Sequence, residues 1–231
     1  ELRPGASRGI QLRDSLREFA AKRLTPFAAD WDRNATFPKQ ALSELAALGA
    51  FGIAIPEKYG GAGMDATATA IALEEIAFGD GATSTIISVN NSPVCAILLA
   101  WANEAQKQKY LVPLAQGQML GAFCLTEPHV GSDASGLRTS AVLEGDHWVL
   151  NGVKQFITSG KTADVAIVMA VTDKAAGKRG ISAFVVETKT PGYVVARLEE
   201  KMGQHASDTA QILFENCRVP SGNLIGRPGQ G

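Results

Sequence analysis

Near residue 118 the chain changes its hydrophobic period, and that change restricts it to a fold in which a helical half meets a β half. Before the switch, Leu12, Leu16 and Phe19 fall at i, i+4 and i+7 in QLRDSLREFAAKRL, and Leu42, Leu45 and Leu48 repeat similarly in QALSELAALGA, with Pro38 ahead of the helix start. DATATAIALEEIAFGD predicts another helix ending at Gly79. ATSTIISVNNSPVCAILLAWANEAQKQKYLVPLAQG predicts one or two more, broken near Pro93 and closed by the basic turn Lys107 to Lys109. From about Met119 the runs are β-branched and aromatic, bounded by Gly and Asp: MLGAFCLT, RTSAVLEGDHWVLNG, VKQFITSG, DVAIVMAVT, ISAFVVE and TAQILFENC. Glu144-Gly145-Asp146 reads as a hairpin turn, and the lack of helical patterns between the runs favours an antiparallel sandwich or barrel over a parallel sheet. The expected fold is α+β: a helical bundle domain over residues 1–118, then an antiparallel β-sandwich or barrel over residues 119–231.

Composition narrows the function classes. A chain of 231 residues, 45% of them hydrophobic, can bury a sizeable core. Its 22 basic and 23 acidic residues leave a net charge of -1, which supports no polyanion-binding surface and argues against nucleic acid as a partner. Cys95, Cys124 and Cys217 are widely spaced and odd in number, against both a disulfide framework and a zinc site, so a reducing compartment is expected and no metal. The longest apolar run, Pro93 to Ala102, falls short of the ~18 to 20 residues of a membrane helix, and no signal-peptide core precedes it, so the expectation is a soluble protein without a membrane span. The start at Glu1 and the turn-rich end RPGQG read as cut ends of a longer chain. The polar stretch Thr172 to Gly180 reads as a solvated hairpin loop.

Two stretches could carry chemistry. In CLTEPHVGSD the chain leaves a strand, turns at Pro128 and turns again at Gly131, where a missing Cβ lets backbone amides approach an anion. Ser132 adds a hydroxyl, and Thr126 could offer its amide and hydroxyl to a planar hydrogen-bonding group; an ordinary turn, with Ser132 or Asp133 bonding locally, reads equally well. In KQFITSG, Phe156 could stack on a flat ring, although taken alone it reads more readily as a core residue of an amphipathic strand. His129, His147 and His205 lie too far apart in sequence to suggest a cluster. Glu74, Glu75 and Glu127 are conceivable general bases, with structural hydrogen bonding the commoner fate.

CLTEPHVGSDASG resembles the signature of the acyl-CoA dehydrogenase family, in which a hydroxyl-Glu-Pro turn is followed by Gly-Ser-Asp. NGVKQFITSG is similar to that family's second flavin-contacting strand. KMGQHASDTAQILFENCRVP is similar to its later middle-domain segment, EAQKQKYLVPLAQG to the stretch before the signature, and TIISVNNSP to its short-chain branch, so the resemblance covers essentially the whole chain. It implies FAD, with Phe123, Leu125 and Thr126 beside the isoalloxazine and Thr126 bonding its edge. It puts Gly131 and Ser132 at the pyrophosphate, Ser132 also near the acyl-CoA, and Phe156, Ile157 and Thr158 on the ring's other side. The family often has Trp at position 156, and His129 and Val130 stand where it usually has small residues. It also implies a second helical domain after NLIGRPGQG that supplies the glutamate base, so no catalytic residue is assigned within residues 1–231 and this piece alone is expected to be inactive.

The implied activity of the complete protein is α,β-dehydrogenation of an acyl-CoA thioester to the trans-2-enoyl-CoA in fatty acid β-oxidation. Electrons would pass to an electron-transfer flavoprotein. Short or medium straight acyl groups, a homotetramer, and a bacterial cytoplasm or mitochondrial matrix complete the expectation. Acyl-CoA oxidases and flavin monooxygenases of the same architecture stay open as alternatives, as does a noncatalytic interaction module.

Overall fold

The helical half starts with α1 (Pro4–Phe19), which passes through a wide turn at Ala20–Leu24 into α2 (Thr25–Arg33); the computed structural model describes residues 4–231. The predicted stripe holds, with Leu16, Ala20 and Leu24 fully buried and Leu12 and Phe19 packed at its edge. In α3 (Lys39–Ala47) Leu42 and Leu45 are buried, but Leu48 lies past the helix end and is exposed, so the third member of that repeat faces solvent.

Helix α4 (Ala66–Gly79) is capped by Asp65, which accepts from the Ala68 amide at 2.8 Å. Its last residue explains how closely it crosses the first helical segment. A Cβ on Gly79 would sit 2.8 Å from Leu24 Cβ and 2.9 Å from Ala20 Cβ, so only glycine allows this approach. Asp80 then caps α5 (Gly81–Val89), accepting from the Thr83 amide at 2.8 Å. The break expected near Pro93 is real: Ser92 leaves helical geometry at φ -146° and ψ 114° before α6 (Ala96–Trp101) resumes. Residues Gly81–Trp101 are long and apolar enough to cross a membrane by length and composition, yet more than half of that stretch is buried inside the protein, as in a core helix. The basic turn does not end the bundle. Lys107–Leu111 continues helically from Glu104–Gln106 into Val112–Ala115, because Tyr110, Leu111 and Leu114 carry the apolar face onward.

Eight strands are found among the described residues, in one sheet: β1 (Gly121–Cys124), β2 (Ser140–Glu144), β3 (His147–Thr158), β4 (Val165–Val171), β5 (Ile181–Glu187), β6 (Tyr193–Leu198), β7 (Thr209–Pro220) and β8 (Leu224–Ile225). The order is β6-β7-β3-β2-β4-β5-β8, with β1 beside β4. The predicted hairpin at Glu144 to Asp146 joins β2 to β3, with Gly145 at φ 63°. Antiparallel pairing holds at β2·β3, β3·β7, β6·β7, β4·β5 and β5·β8. On one edge of β4 the sheet is mixed: β1 pairs with it in parallel over four residues, and β2 touches it in parallel at Ser140–Val171. The reason is that β1 comes from the helical half rather than from a hairpin partner, so its direction is not forced to alternate.

One buried cluster runs from Leu16 of α1 through Leu45, Ile76 and Ile86 into Leu150, Phe184 and Val219 of the sheet, so the two halves share a core. Buried Asn90 ties them further. Its amide group donates to the carbonyls of Phe51 and Leu114, both at 3.2 Å, and its oxygen accepts from the Gly121 amide at 3.0 Å, where β1 begins.

Candidate functional site

The strand β1 ends at Cys124, and the next three residues lie against β3. There the Gln155 amide donates to the Thr126 carbonyl at 2.8 Å. It is free to do so because β3 slips register against β7 between Lys154 and Ile157, leaving Gln155 and Phe156 outside the ladder. The same bulge sets Phe156 in left-handed backbone, φ 59°, with 62% of its surface exposed. The local reading of Phe156 as a core residue is therefore wrong; the bulge turns the strand's alternation by one residue. Ile157 takes the core position instead, and Thr158 is half-buried.

Of the remaining site candidates, Phe123 is half-buried against the second apolar cluster, and Leu125 packs at the edge of Val130, Leu137 and Ile181. Among the described residues the Thr126 amide donates to no backbone acceptor, which leaves a donor at a half-buried position. The Glu127 and Val130 backbones bond each other reciprocally at 3.0 Å, so Pro128 and His129 form a two-residue tip. Val130 is buried with Leu137 and Ile181, which explains a bulky residue there, while His129 remains outside with Nε2 3.8 Å from Glu127 Oε2. Gly131 and Ser132 are exposed beyond this turn. Gly131 does not have a positive φ, and a Cβ built on it would meet nothing within 4 Å. The fold itself does not demand glycine at that position. Local bonding falls to Asp133, which accepts from the Ser135 amide at 3.1 Å and the Ser135 hydroxyl at 2.5 Å.

Beneath this surface sits a pair that spacing could not reveal. Lys154 Nζ is fully buried and donates to Glu127 Oε1 at 2.9 Å and to the Leu125 carbonyl at 3.0 Å. Glu127 also accepts from the backbone amides of Arg138 at 2.7 Å and Thr139 at 2.9 Å. Burial pushes the Glu127 carboxyl up, but the donors at Thr139 and Lys154 outweigh it and hold the group below the usual carboxylate range. Burial lowers Lys154, partly offset by Glu127. A signal was available: Lys154 is the lone charge in an otherwise uncharged strand run, and a buried ammonium calls for an acid from elsewhere.

Of the other titratable candidates, Glu74 is exposed on α4, and the rest lie beside structural partners. Glu75 is buried and takes a two-pronged bond from Arg17, at 2.7 and 2.9 Å. Each histidine lies by its own carboxylate: His147 with Asp146 at 2.6 Å, His205 with Asp32 at 3.0 Å, and His129 with Glu127. Burial pushes the thiols of Cys95 and Cys124 up to about 12 and that of Cys217 up to about 11, so none is a thiolate at neutral pH. What the arrangement offers is an exposed aromatic beside one free amide donor, and a turn with open space over a glycine. These features fit a flat, hydrogen-bonding ring that carries phosphate groups.

Residues 9–118 match the family model of the acyl-CoA dehydrogenase N-terminal domain, and residues 122–217 that of the middle domain. The chain is similar to the mitochondrial short-chain specific acyl-CoA dehydrogenase of Rattus norvegicus, 44% identical over 95% of this chain and 53% of that protein. It is also similar to an acyl-CoA dehydrogenase of Bacillus subtilis, 43% identical over 96% of this chain and 59% of that protein. It thus spans little more than half the length of these relatives. Among solved structures, butyryl-CoA dehydrogenase from Megasphaera elsdenii matches with a TM-score of 0.93 and 39% identity, over all of this chain and 61% of that one. A chain from a structure describing the electron transferring flavoprotein of Acidaminococcus fermentans and flavin-based electron bifurcation matches at 0.95 and 42%, over all of this chain and 60% of that one. A glutaryl-CoA dehydrogenase from Mycobacterium smegmatis in complex with FADH2 matches at 0.89 and 34%, over 96% of this chain and 56% of that one.

Proposed function

The chain belongs to the acyl-CoA dehydrogenase family, of which it carries the N-terminal and middle domains, and on that premise we propose that the full-length protein converts an acyl-CoA thioester to its trans-2-enoyl-CoA with FAD as cofactor. The observation that carries the reading is the Gln155 to Thr126 bond. It sets the Thr-Glu-Pro turn beside the bulge of β3, so that the free Thr126 amide and exposed Phe156 come from two distant stretches of sequence to one place.

In this reading Thr126 donates to the edge of the flavin ring, with Phe123 and Leu125 beside it. Phe156 covers the other face, Thr158 adds a hydroxyl, and Ile157 anchors that stretch in the core. Gly131 and Ser132 present backbone amides and a hydroxyl to the pyrophosphate, and Ser132 also meets the acyl-CoA. A flavin bound there supplies the acceptor for the hydride that leaves the β-carbon. Removal of the α-proton needs a carboxylate free to take it. Glu75 and Glu127 are each held by a cation and Glu74 is exposed to solvent, so we assign no catalytic residue within residues 1–231 and place the base in the part of the relatives' length that this chain does not span.

The likeness to short-chain specific and butyryl-CoA enzymes favours a short straight acyl group. The likeness to the electron-bifurcation structure favours an electron-transfer flavoprotein as acceptor. We further propose a mitochondrial matrix or bacterial cytoplasm as its location, supported by the mitochondrial relative, a homotetramer as its assembly, and a domain boundary near residue 118, supported by the N-terminal family match over residues 9–118.

The test is to purify the full-length protein, strip its flavin and titrate FAD back by fluorescence quenching, beside Thr126→Ala. Expected is stoichiometric uptake by the wild type and weaker binding by about 2- to 12-fold in the variant, from the loss of the hydroxyl's one neutral hydrogen bond while the backbone amide is kept. A wild type that takes up no FAD would favour the noncatalytic reading. Rapid reoxidation of the reduced protein by air would favour the oxidase alternative.

A further inference from the structure

We propose that the buried Lys154–Glu127 pair is the positioning device of the flavin site, aiming Thr126 at the ring and fixing both ends of the Gly131–Ser132 loop. The inference rests on the flavin reading above and deepens it.

The first part follows from peptide geometry. Lys154 Nζ holds the Leu125 carbonyl at 3.0 Å on the inner side of the segment. A planar trans peptide points its N–H opposite to its C=O, so the Thr126 amide is directed away from Lys154. The next peptide is held as well, because the Thr126 carbonyl accepts from Gln155. Two consecutive peptide planes are therefore fixed from β3, and the one donor left over is the Thr126 amide. A rotation of the Leu125–Thr126 plane would have to break a bond to a buried ammonium.

The second part follows from what else Glu127 touches. Its carboxylate accepts from the amides of Arg138 and Thr139, where the chain enters β2. Glu127 itself begins the turn that leads to Gly131 and Ser132. One side chain thus ties together the start and the end of the loop proposed to meet phosphate, and Lys154 ties that junction to β3. Because both charges lie buried against each other, the pair adds no net charge to the site; its contribution is placement.

The alternative is that the pair merely staples the fold. The test uses the full-length protein and three variants: Lys154→Met, Glu127→Gln, and the double variant Lys154→Met/Glu127→Gln, in which neither charge is left unpaired. Three readouts are taken: the thermal midpoint of the apoprotein, the Kd for FAD, and the visible band and midpoint potential of the bound flavin. Expected for the double variant is an apoprotein midpoint restored most of the way to wild type. FAD affinity should stay reduced by about 10- to 100-fold, with band and potential shifted, since the hydrogen bonds misaimed are those of Thr126 and the loop. A double variant with wild-type affinity, band and potential would overturn the proposal and leave the pair as a staple. A wild type that fails to bind FAD would instead overturn the flavin reading itself.

Discussion

Phe156 spends backbone strain to stay in water: a bulky residue at φ 59° with most of its ring exposed has little to gain from its own fold. Its replacement by alanine should leave the apoprotein within about 0.5 kcal/mol of wild type, as for an exposed side chain. The same change should weaken FAD binding about 3- to 10-fold through loss of one ring contact. Chemical denaturation and FAD titration check the two halves separately, and a large loss of apoprotein stability would return Phe156 to the core. Lys154→Met should behave in the opposite way, costing the apoprotein roughly 3–5 kcal/mol because it strands a buried carboxylate. The residues of KQFITSG offered Phe156 a stacking role but favoured the core, because a bulge is invisible to a period-2 reading; the family resemblance tipped it outward. The Lys154–Glu127 pairing joins residues 27 apart in sequence, and no spacing rule reaches that far. Val130 was legible only as a departure from the family, until its burial with Leu137 and Ile181 supplied a reason.

Elements were legible where period and caps agreed. Helix α4 begins at an Asp cap and ends at the glycine that sequence pattern proposed; the strands rich in Val, Ile and Phe all formed. β6 was missed because five of its six residues are exposed, so YVVARL has no buried face to betray it. The NNSP stretch, read first as a branch marker, is the joint between the halves. Asn90→Ala would orphan the carbonyls of Phe51 and Leu114 and the amide of Gly121, and should cost roughly 2–4 kcal/mol by denaturant unfolding.

A second joint is pH-sensitive. The Glu199–Asp208 loop is latched to α2 and α5: His205 donates to Asp32 through its backbone amide at 2.8 Å and pairs through Nδ1 at 3.0 Å, while the Thr85 hydroxyl donates to Gln204 at 2.8 Å. His205 Nε2 also meets the Lys201 carbonyl at 2.5 Å, so the doubly protonated ring satisfies both contacts. The bond to Asp32 raises the His205 pKa, opposed by burial and the Lys201 charge; Asp32 is lowered, first by the His205 amide. A raised histidine contributes stability in full below its ordinary value near ~6.5 and loses it as pH rises through the raised one. A lowered aspartate contributes above its ordinary value near ~3.9 and loses its share as pH falls through the lowered one. The thermal midpoint of the wild type should therefore decline as pH rises past the histidine range, and His205→Gln should lack that decline. Identical pH slopes for the two proteins would remove the latch.

For the whole molecule, the shared core and the Asn90 joint make the two halves one folding unit, while the proposed chemistry draws on more sequence than these 231 residues. The isolated piece should fold, bind FAD weakly and turn over no acyl-CoA; measured turnover would show that the base lies within it. The division into a helical and a β half was legible because hydrophobic period is a local property. The parallel edge of β4 and the Thr126–Gln155 contact that sets the segment after β1 against β3 were not, since both depend on where β1 lands after leaving the helices. The most direct test of the central claim is anaerobic titration of the FAD-loaded full-length protein with a panel of acyl-CoA thioesters, followed by flavin absorbance. The account predicts bleaching near one equivalent of a short straight-chain acyl-CoA, with enoyl-CoA as product; an oxidised spectrum unchanged by every thioester in the panel would contradict it.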